Sequence, residues 1–167
     1  MSTTESTPTT APALGDLRFH RLLVALDGSE NAELALNAAV NVARRDHAAL
    51  TIMSVSRDVA MDAARWPGMV SMPESQDEAD AYAQGILDDT VSRIPPDVGV
   101  TTVVRRGKAA REILAVLDEG TYDAILLGAR GLGRVAMLMG SVSREVLHHA
   151  NVAVFIAHAP RAEAVAA

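Results

Sequence analysis

The sequence contains no cysteine and very few aromatic residues. The absence of cysteine from all 167 residues excludes a disulfide framework and thiolate catalysis. Phe, Trp and Tyr together make up 3% of the residues, although 49% of the chain is apolar. Ala, Val, Leu, Ile and Met must therefore build the core, and the length suits one domain with a sizeable core.

An excess of positive charge and long apolar runs are also lacking. The formal net charge is −6 at pH 7, which argues against a nucleic-acid surface. No apolar run approaches the length of a membrane span, and we see no signal peptide in the N-terminal residues. We therefore expect a cytoplasmic protein that binds neither nucleic acid nor a membrane.

Both ends of the chain have the composition of tails. Residues 1–16 are rich in Ser, Thr, Pro and Ala and show no hydrophobic periodicity, which predicts a disordered N-terminal tail. Pro160 is followed by an Ala-rich stretch, which predicts a C-terminal tail over residues 160–167. A single domain is expected over residues 17–159.

Five apolar runs alternate with helical patterns inside this domain. Four helices are expected, together with a long connection over residues 57–73. The alternation predicts a parallel sheet covered by helices on both faces, an α/β fold that is doubly wound and Rossmann-like. Ligands of such sheets bind at the carboxyl ends of the strands, near the switch in strand order. Apolar runs predict strands over residues 19–26, 50–55, 124–127 and 151–158, and alternating residues predict a strand over residues 98–104.

A glycine-rich stretch follows the fourth predicted strand. It contains Gly128 and Gly131, with Arg130 between them, and residues 140–143 (Gly-Ser-Val-Ser) open the next helical pattern. Glycines at a strand-to-helix junction let backbone N–H groups approach a ligand, and the helix N-terminus adds unpaired donors. These features predict a phosphate site, to which Arg130 would add positive charge. The alternative is that the glycines serve only turn geometry.

Two common phosphate motifs are absent. The Walker pattern requires Gly-Lys followed by Ser or Thr, whereas the only lysine, Lys108, lies between Gly107 and Ala109. The dinucleotide pattern Gly-x-Gly-x-x-Gly is missing too, because the spacing here is Gly-x-x-Gly-x-Gly.

The glycine spacing resembles the nucleotide-binding signature of the universal stress protein family. That signature is Gly-x-x-Gly, nine residues, then Gly-Ser or Gly-Thr, and this chain has eight residues between Gly131 and Gly140. The resemblance covers residues 19–158 and implies the strand order 3-2-1-4-5. The shortened spacing predicts weaker binding of phosphates than a chain with one more residue would show.

The resemblance also implies a site for ATP, with or without Mg²⁺ on the phosphates. Asp27 would contact the adenosine, and Ala25 and Val55 would lie beside the base. From the residues alone, Asp27 could equally be a turn or capping residue and Val55 a core valine. The nucleotide-binding residues predicted in this way are Ala25, Asp27, Gly28, Ser29, Val55, Leu127, Gly128, Arg130, Gly131, Gly140, Ser141, Val142 and Ser143.

The function implied by the resemblance is regulation in the stress response, and we predict no catalytic or metal-ligating residue. Asp27 is the only carboxylate that the sequence places at the site. An enzyme of related fold, such as an ATP-dependent ligase or a phosphatase, would need a Ser-Gly-Gly-x-Asp-Ser loop or a metal cluster, and the sequence shows neither.

An alternative function is that of a dimerising interaction module without nucleotide, which the shortened glycine spacing favours. The last predicted strand contains the apolar run Val152 to Ile156, which has no charge and no proline. We expect this strand at the edge of the sheet. Exposed apolar edges invite pairing, and closed dimers are the commonest assembly. We therefore predict a homodimer through this strand, as the resemblance also implies.

Overall fold

The computed structural model describes residues 17–65, 75–129 and 140–159. The predicted tails, and the predicted site residues Arg130 and Gly131, lie outside these ranges. The described part of the chain forms the following elements: β1 (Arg21–Leu26), α1 (Glu30–Asp46), β2 (Ala49–Ser56), α2 (Val59–Arg65), α3 (Gln76–Arg93), β3 (Val100–Arg106), α4 (Ala109–Glu119), β4 (Ala124–Gly128), α5 (Ser141–His149) and β5 (Ala153–Ala157).

The five strands form one parallel sheet in the order β3-β2-β1-β4-β5, which confirms the predicted fold and strand order. β1 is central, and Leu23 lies opposite Thr51 of β2 and Ile125 of β4. The chain adds strands first on one side of β1 and then on the other. Such a reversal leaves a crevice between the carboxyl ends of β1 and β4, which is where ligands of these folds bind.

Each face of the sheet has its own apolar core. Successive strand residues point to opposite faces, so Val24 packs under α1 and α3 whereas Leu23 packs under α4 and α5. Leu87 on α3 and Ile113 on α4 are almost completely buried in the two cores. The predicted covering of both faces by helices is therefore confirmed.

The prediction of four helices is wrong, because α2 (Val59–Arg65) is a fifth helix inside the first part of the predicted connection over residues 57–73. Residues 66–73 of that connection lie outside the described ranges. The Asp58 carboxylate accepts a hydrogen bond from the N–H of Met61 (3.0 Å), as an N-capping side chain does. The side chain of Gln76, at the start of α3, accepts from the N–H of Val59 (3.1 Å). The second bond is a tertiary contact, which local sequence patterns do not reveal.

The strand boundaries differ slightly from the predicted ones. Phe19 is buried but precedes β1, and its ring meets that of Phe155 edge-to-face, with centroids 5.8 Å apart. Val98 precedes β3 because its N–H bonds to the carbonyl of Pro95 (3.0 Å) in a turn. Among the helices in the described ranges, none combines the length and the apolar character needed to cross a membrane.

Candidate functional site

A cleft of about 270 Å³ opens at the carboxyl edge of the sheet, where β1, β2 and β4 end. Its floor is apolar and uses Ala25, Met53, Val55 and Leu127 from the strands, together with Ile113 from α4. Met53 and Leu127 are buried, so the floor is continuous with the core under α4 and α5. An apolar floor of this kind suits the flat face of an aromatic ring better than a charged group.

Most of the residues predicted from the sequence come together in this cleft. Gly28, Ser29 and Ser141 are adjacent to it but do not line it. That these residues bind a nucleotide stays a prediction. The predicted residues that line the cleft are Ala25, Asp27, Val55, Leu127, Gly128, Gly140, Val142 and Ser143.

The turn after β1 explains the roles of Asp27, Gly28 and Ser29. The Asp27 carboxylate accepts from the N–H of Ser29 (3.1 Å), and the Ser29 hydroxyl accepts from the N–H of Ala32 (3.2 Å) as the N-cap of α1. Gly28 has φ 77°, a left-handed conformation that favours glycine. Asp27 is therefore both a turn residue and a cleft residue, whereas Gly28 and Ser29 shape the turn that presents it.

Two helices begin at the cleft without a side-chain cap. The N-cap residues of α4 and α5 are Lys108 and Gly140, and neither residue has a side-chain atom that can accept a hydrogen bond. By contrast, Ser29 and Ser75 cap α1 and α3. The starts of α4 and α5 therefore lie at a cleft lined by Ala109 and Gly140, where their first N–H groups and positive dipole ends would stabilise an anion.

Gly128 forms the point of closest packing at the cleft. A Cβ atom on Gly128 would lie 2.6 Å from the backbone N of Ala32 and 2.6 Å from the backbone C of Asn31, so only glycine fits. The hydroxyl of the buried Ser143 donates to the carbonyl of Gly128 (3.2 Å). Ser143, predicted to contact phosphates, thus uses its hydroxyl to join α5 to the end of β4.

The sequence interpretation missed several residues of the cleft, including Met53, Ile113 and Ala32. It also missed Arg57 and Asp62, which form an ion pair of 3.1 Å on the rim. The expectation that Asp27 is the only carboxylate at the site is therefore wrong. The capping residue Asp58, four residues before Asp62, was the available signal for a helix here. Among the described residues, no group of three His, Asp or Glu side chains converges as a metal site.

A hydrogen-bonded carboxylate fixes the strand ends beside the cleft. Asp80, on α3, accepts from the Ser56 hydroxyl (2.6 Å) at the end of β2, from Gln76 Nε2 (2.8 Å), and from Arg106 at the end of β3. The Ser56 hydrogen bond, followed by those from Arg106 and Gln76, lowers the pKa of Asp80 to about 2. Asp80 is therefore ionised at neutral pH and joins α3 to two strands.

A doubly wound parallel sheet with a ligand-sized cleft at its switch point defines the class of this protein as an α/β ligand-binding domain. The model of the universal stress protein family matches residues 18–158, and the chain belongs to this family. The universal stress protein YxiE of Bacillus subtilis is 33% identical over 135 residues, which are 77% of this chain and 91% of that protein.

Solved structures agree with this assignment. The universal stress protein UspA from Lactobacillus plantarum is 25% identical, covers 85% of this chain and 99% of its own, and superposes with a TM-score of 0.67. A universal stress protein in complex with cAMP is 22% identical, covers 85% of this chain and 98% of its own, and has a TM-score of 0.62. The universal stress protein from Archaeoglobus fulgidus in complex with dAMP is 23% identical, covers 84% of this chain and 99% of its own, and has a TM-score of 0.62. The last two likenesses show the fold.

Proposed function

We propose that this universal stress protein binds an adenine nucleotide, with ATP as the preferred ligand, and acts in stress regulation without catalysing a reaction. The observation that carries the proposal is one cleft in which an apolar floor adjoins two helix N-termini that lack side-chain caps. The floor suits the base, and the helix N-termini suit the phosphates.

Charge supports this orientation of the nucleotide. Asp27 lies on the rim at the end of β1, where a carboxylate can accept hydrogen bonds from a ribose or an amino group, and Asp62 adds a second negative charge to the rim. Phosphates would be repelled there and stabilised instead at the starts of α4 and α5. Two structural neighbours were solved with the adenine nucleotides cAMP and dAMP, which supports a ligand of the same class here.

ATP could bind with or without Mg²⁺. The described residues offer no dedicated ligand set, so a metal ion would be held through the phosphates and water. We also propose a cytoplasmic location and no nucleic-acid partner, in keeping with the net charge of −6.

Calorimetric titration of the purified protein with ATP, ADP, GTP and adenosine tests the proposal. ATP should bind more tightly than GTP, and Asp27→Ala should weaken ATP binding about tenfold without unfolding the domain. Asp118→Ala is the matched control, because Asp118 is an exposed carboxylate at the far end of α4 and its loss makes the same change in charge. Absence of heat with every adenine ligand at millimolar concentration, together with no co-purified nucleotide, would exclude nucleotide binding.

A homodimer through β5 is a second proposal, compatible with nucleotide binding and with the alternative of a nucleotide-free module. Among the described strands, β5 pairs only with β4 and forms an edge, and Phe155 on this strand is 45% exposed. Phe155→Asp should convert a dimer into a monomer in light scattering. Val104→Asp, on the exposed opposite edge strand, should leave the dimer intact. A wild-type mass of one chain at micromolar concentration would contradict the proposal.

A further inference from the structure

The side chain of Asn31, on the first turn of α1, bridges the ends of two strands. Its Nδ2 donates to the carbonyl of Ala129, the residue directly after β4. Its Oδ1 accepts from the N–H of Ala159, two residues past β5 (3.0 Å). An amide side chain can do both at once, because it carries a donor and an acceptor.

These two bonds replace a rung of the parallel ladder. The N–H of Ala129 donates to the carbonyl of Ala157 (2.7 Å) as a regular ladder bond. In a parallel pair, the carbonyl of Ala129 would next accept from the N–H of Ala159. The Asn31 amide bonds to both of these groups instead, so it acts as a wedge where the chains leaving β4 and β5 separate.

The position of the wedge is fixed by packing. The backbone of Asn31 and Ala32 abuts Gly128 so closely that a single Cβ atom would collide with it. Ser29 caps the same turn of α1, so the start of the helix is held from both sides. The direction in which the chain leaves β4 is thus set by contacts with α1 rather than by pairing with β5 alone.

We infer that Asn31 is a positioning residue of the candidate nucleotide site. It does not line the cleft but acts through Ala129 on Gly128, which does. The inference rests on the proposed nucleotide binding. Most of the adenine floor lies in β1 and β2, at Ala25, Met53 and Val55, whereas Gly128 accepts a hydrogen bond from Ser143 at the start of α5, where the phosphates would lie. Loss of the wedge should therefore affect phosphate-bearing ligands more than adenosine.

Substitution of Asn31 separates the two halves of the bridge. Asn31→Asp keeps the acceptor for Ala159 but removes the donor and places a carboxylate against the Ala129 carbonyl. An acidic residue in the first turn of a helix is favourable, so α1 should stay intact. We expect ATP affinity to fall about tenfold and adenosine affinity to change less than twofold. The ratio of the two affinities is a readout that a general loss of stability would not move.

Asn31→Asp both removes a hydrogen-bond donor and adds a negative charge, and two further variants separate these effects. Asn31→Ala introduces no charge and should also lower ATP affinity selectively. Asn37→Asp makes the same chemical change as Asn31→Asp at an exposed position of the same helix and should leave both affinities unchanged. Amide hydrogen exchange followed by NMR should show Ala159 exchanging faster in Asn31→Ala but still protected in Asn31→Asp.

The outcomes separate the inference from the proposed function. Equal ATP affinity in Asn31→Asp and Asn37→Asp would overturn the positioning role, as would an equal loss for ATP and adenosine. If the wild type binds no adenine nucleotide, the proposed function fails and the positioning role fails with it. Unchanged exchange of Ala159 in Asn31→Ala would overturn the wedge itself, whatever the protein binds.

Discussion

The amino and carboxyl edges of the sheet use polar groups in opposite ways. At the amino edge, carboxylates satisfy the backbone that enters β1. Asp46, at the end of α1, accepts from the N–H of Phe19 (3.1 Å), and Asp123, before β4, accepts from those of His20 and Arg21 (2.8 Å for Arg21). These hydrogen bonds join residues that are distant in sequence. The carboxylates and the N–H groups contact each other directly, with no open volume between them.

At the carboxyl edge, polar groups surround an open cleft. The starts of α4 and α5 lie at this volume, and the ion pair of Arg57 and Asp62 lies on its rim, with both side chains about half exposed or more. Donors that face open volume are available to a ligand, whereas donors paired within the fold contribute to stability. We therefore expect changes at the amino edge to affect stability alone and changes at the carboxyl edge to affect binding.

The largest effect is expected at Gly128, where the carboxyl edge is most tightly packed. Gly128→Ala places a methyl group 2.6 Å from backbone atoms of Asn31 and Ala32, which cannot move independently of α1. We expect a loss of about 3 kcal/mol in the free energy of unfolding, the upper end for overpacking, together with loss of ATP binding. Urea denaturation and calorimetric titration measure the two effects.

Gly85→Ala is the control for Gly128→Ala. Gly85 lies inside α3, and a methyl group there would meet nothing within 4 Å. Because alanine favours a helix more than glycine does, this variant should gain about 0.5–1 kcal/mol. A Gly128→Ala protein as stable as the wild type would show that α1 can move away from β4. The close packing would then not require glycine at position 128.

The sequence was sufficient for the fold because the strands are apolar runs or, in β3, an alternating pattern, and each is bounded by turn residues. Leu22 to Leu26 end at an Asp-Gly-Ser turn, and the structure places that turn at the cleft as predicted. The strand order came from the glycine spacing through its resemblance to a family, since periodicity alone does not specify how strands are arranged. Local patterns therefore predicted the elements, and the motif predicted their arrangement.

The residues that were missed depend on contacts between distant segments. Asp62 reaches the cleft only because α2 forms, and α2 begins partly on the side chain of Gln76 from α3. The bridge made by Asn31 bonds this residue to Ala129 and Ala159, which lie 98 and 128 positions further along the chain. The hydroxyl of Ser143 bonds to the carbonyl of Gly128 because the fold brings the start of α5 to the end of β4. Spacing within one segment contains no information on such contacts.

Asp123→Asn should weaken the amino edge while leaving binding intact. The substitution reduces the strength of two backbone hydrogen bonds to a charged acceptor, and the carboxylate is exposed, so the cost should be about 1 kcal/mol. The urea midpoint should fall and ATP affinity should stay within twofold of the wild type. A clear loss of ATP affinity in a folded Asp123→Asn protein would break the distinction between the two edges.

Asp62→Asn should do the reverse and change binding with little effect on stability. The ion pair with Arg57 is exposed, and such pairs contribute less than about 1 kcal/mol. Removing a negative charge from the rim reduces repulsion of a polyanion, so ATP should bind about two- to fivefold more tightly at low salt, with a smaller gain at high salt. Adenosine affinity should stay constant, and Asp118→Asn should change neither. A parallel loss of ATP and adenosine affinity would instead show that Asp62 accepts a hydrogen bond from the nucleoside.

The smallest effect is expected at Asp80. This residue lies at the carboxyl edge, but its carboxylate is hydrogen-bonded within the fold, as the carboxylates of the amino edge are. The Ser56 hydroxyl, Arg106 and Gln76 lower its pKa to about 2. Because this value lies below the usual Asp pKa of about 3.9, the stabilisation is fully present above about pH 4 and is lost as the pH falls towards 2. Asp80→Asn should therefore lower the urea midpoint at pH 5 and flatten its decline between pH 4 and pH 2. The decline should not vanish, since the pKa values of Asp46 and Asp123 are lowered as well. A parallel loss of stability in the wild type and Asp80→Asn over this range would show that these hydrogen bonds do not stabilise the ionised carboxylate of Asp80. The carboxyl edge would then differ from the amino edge even outside the cleft.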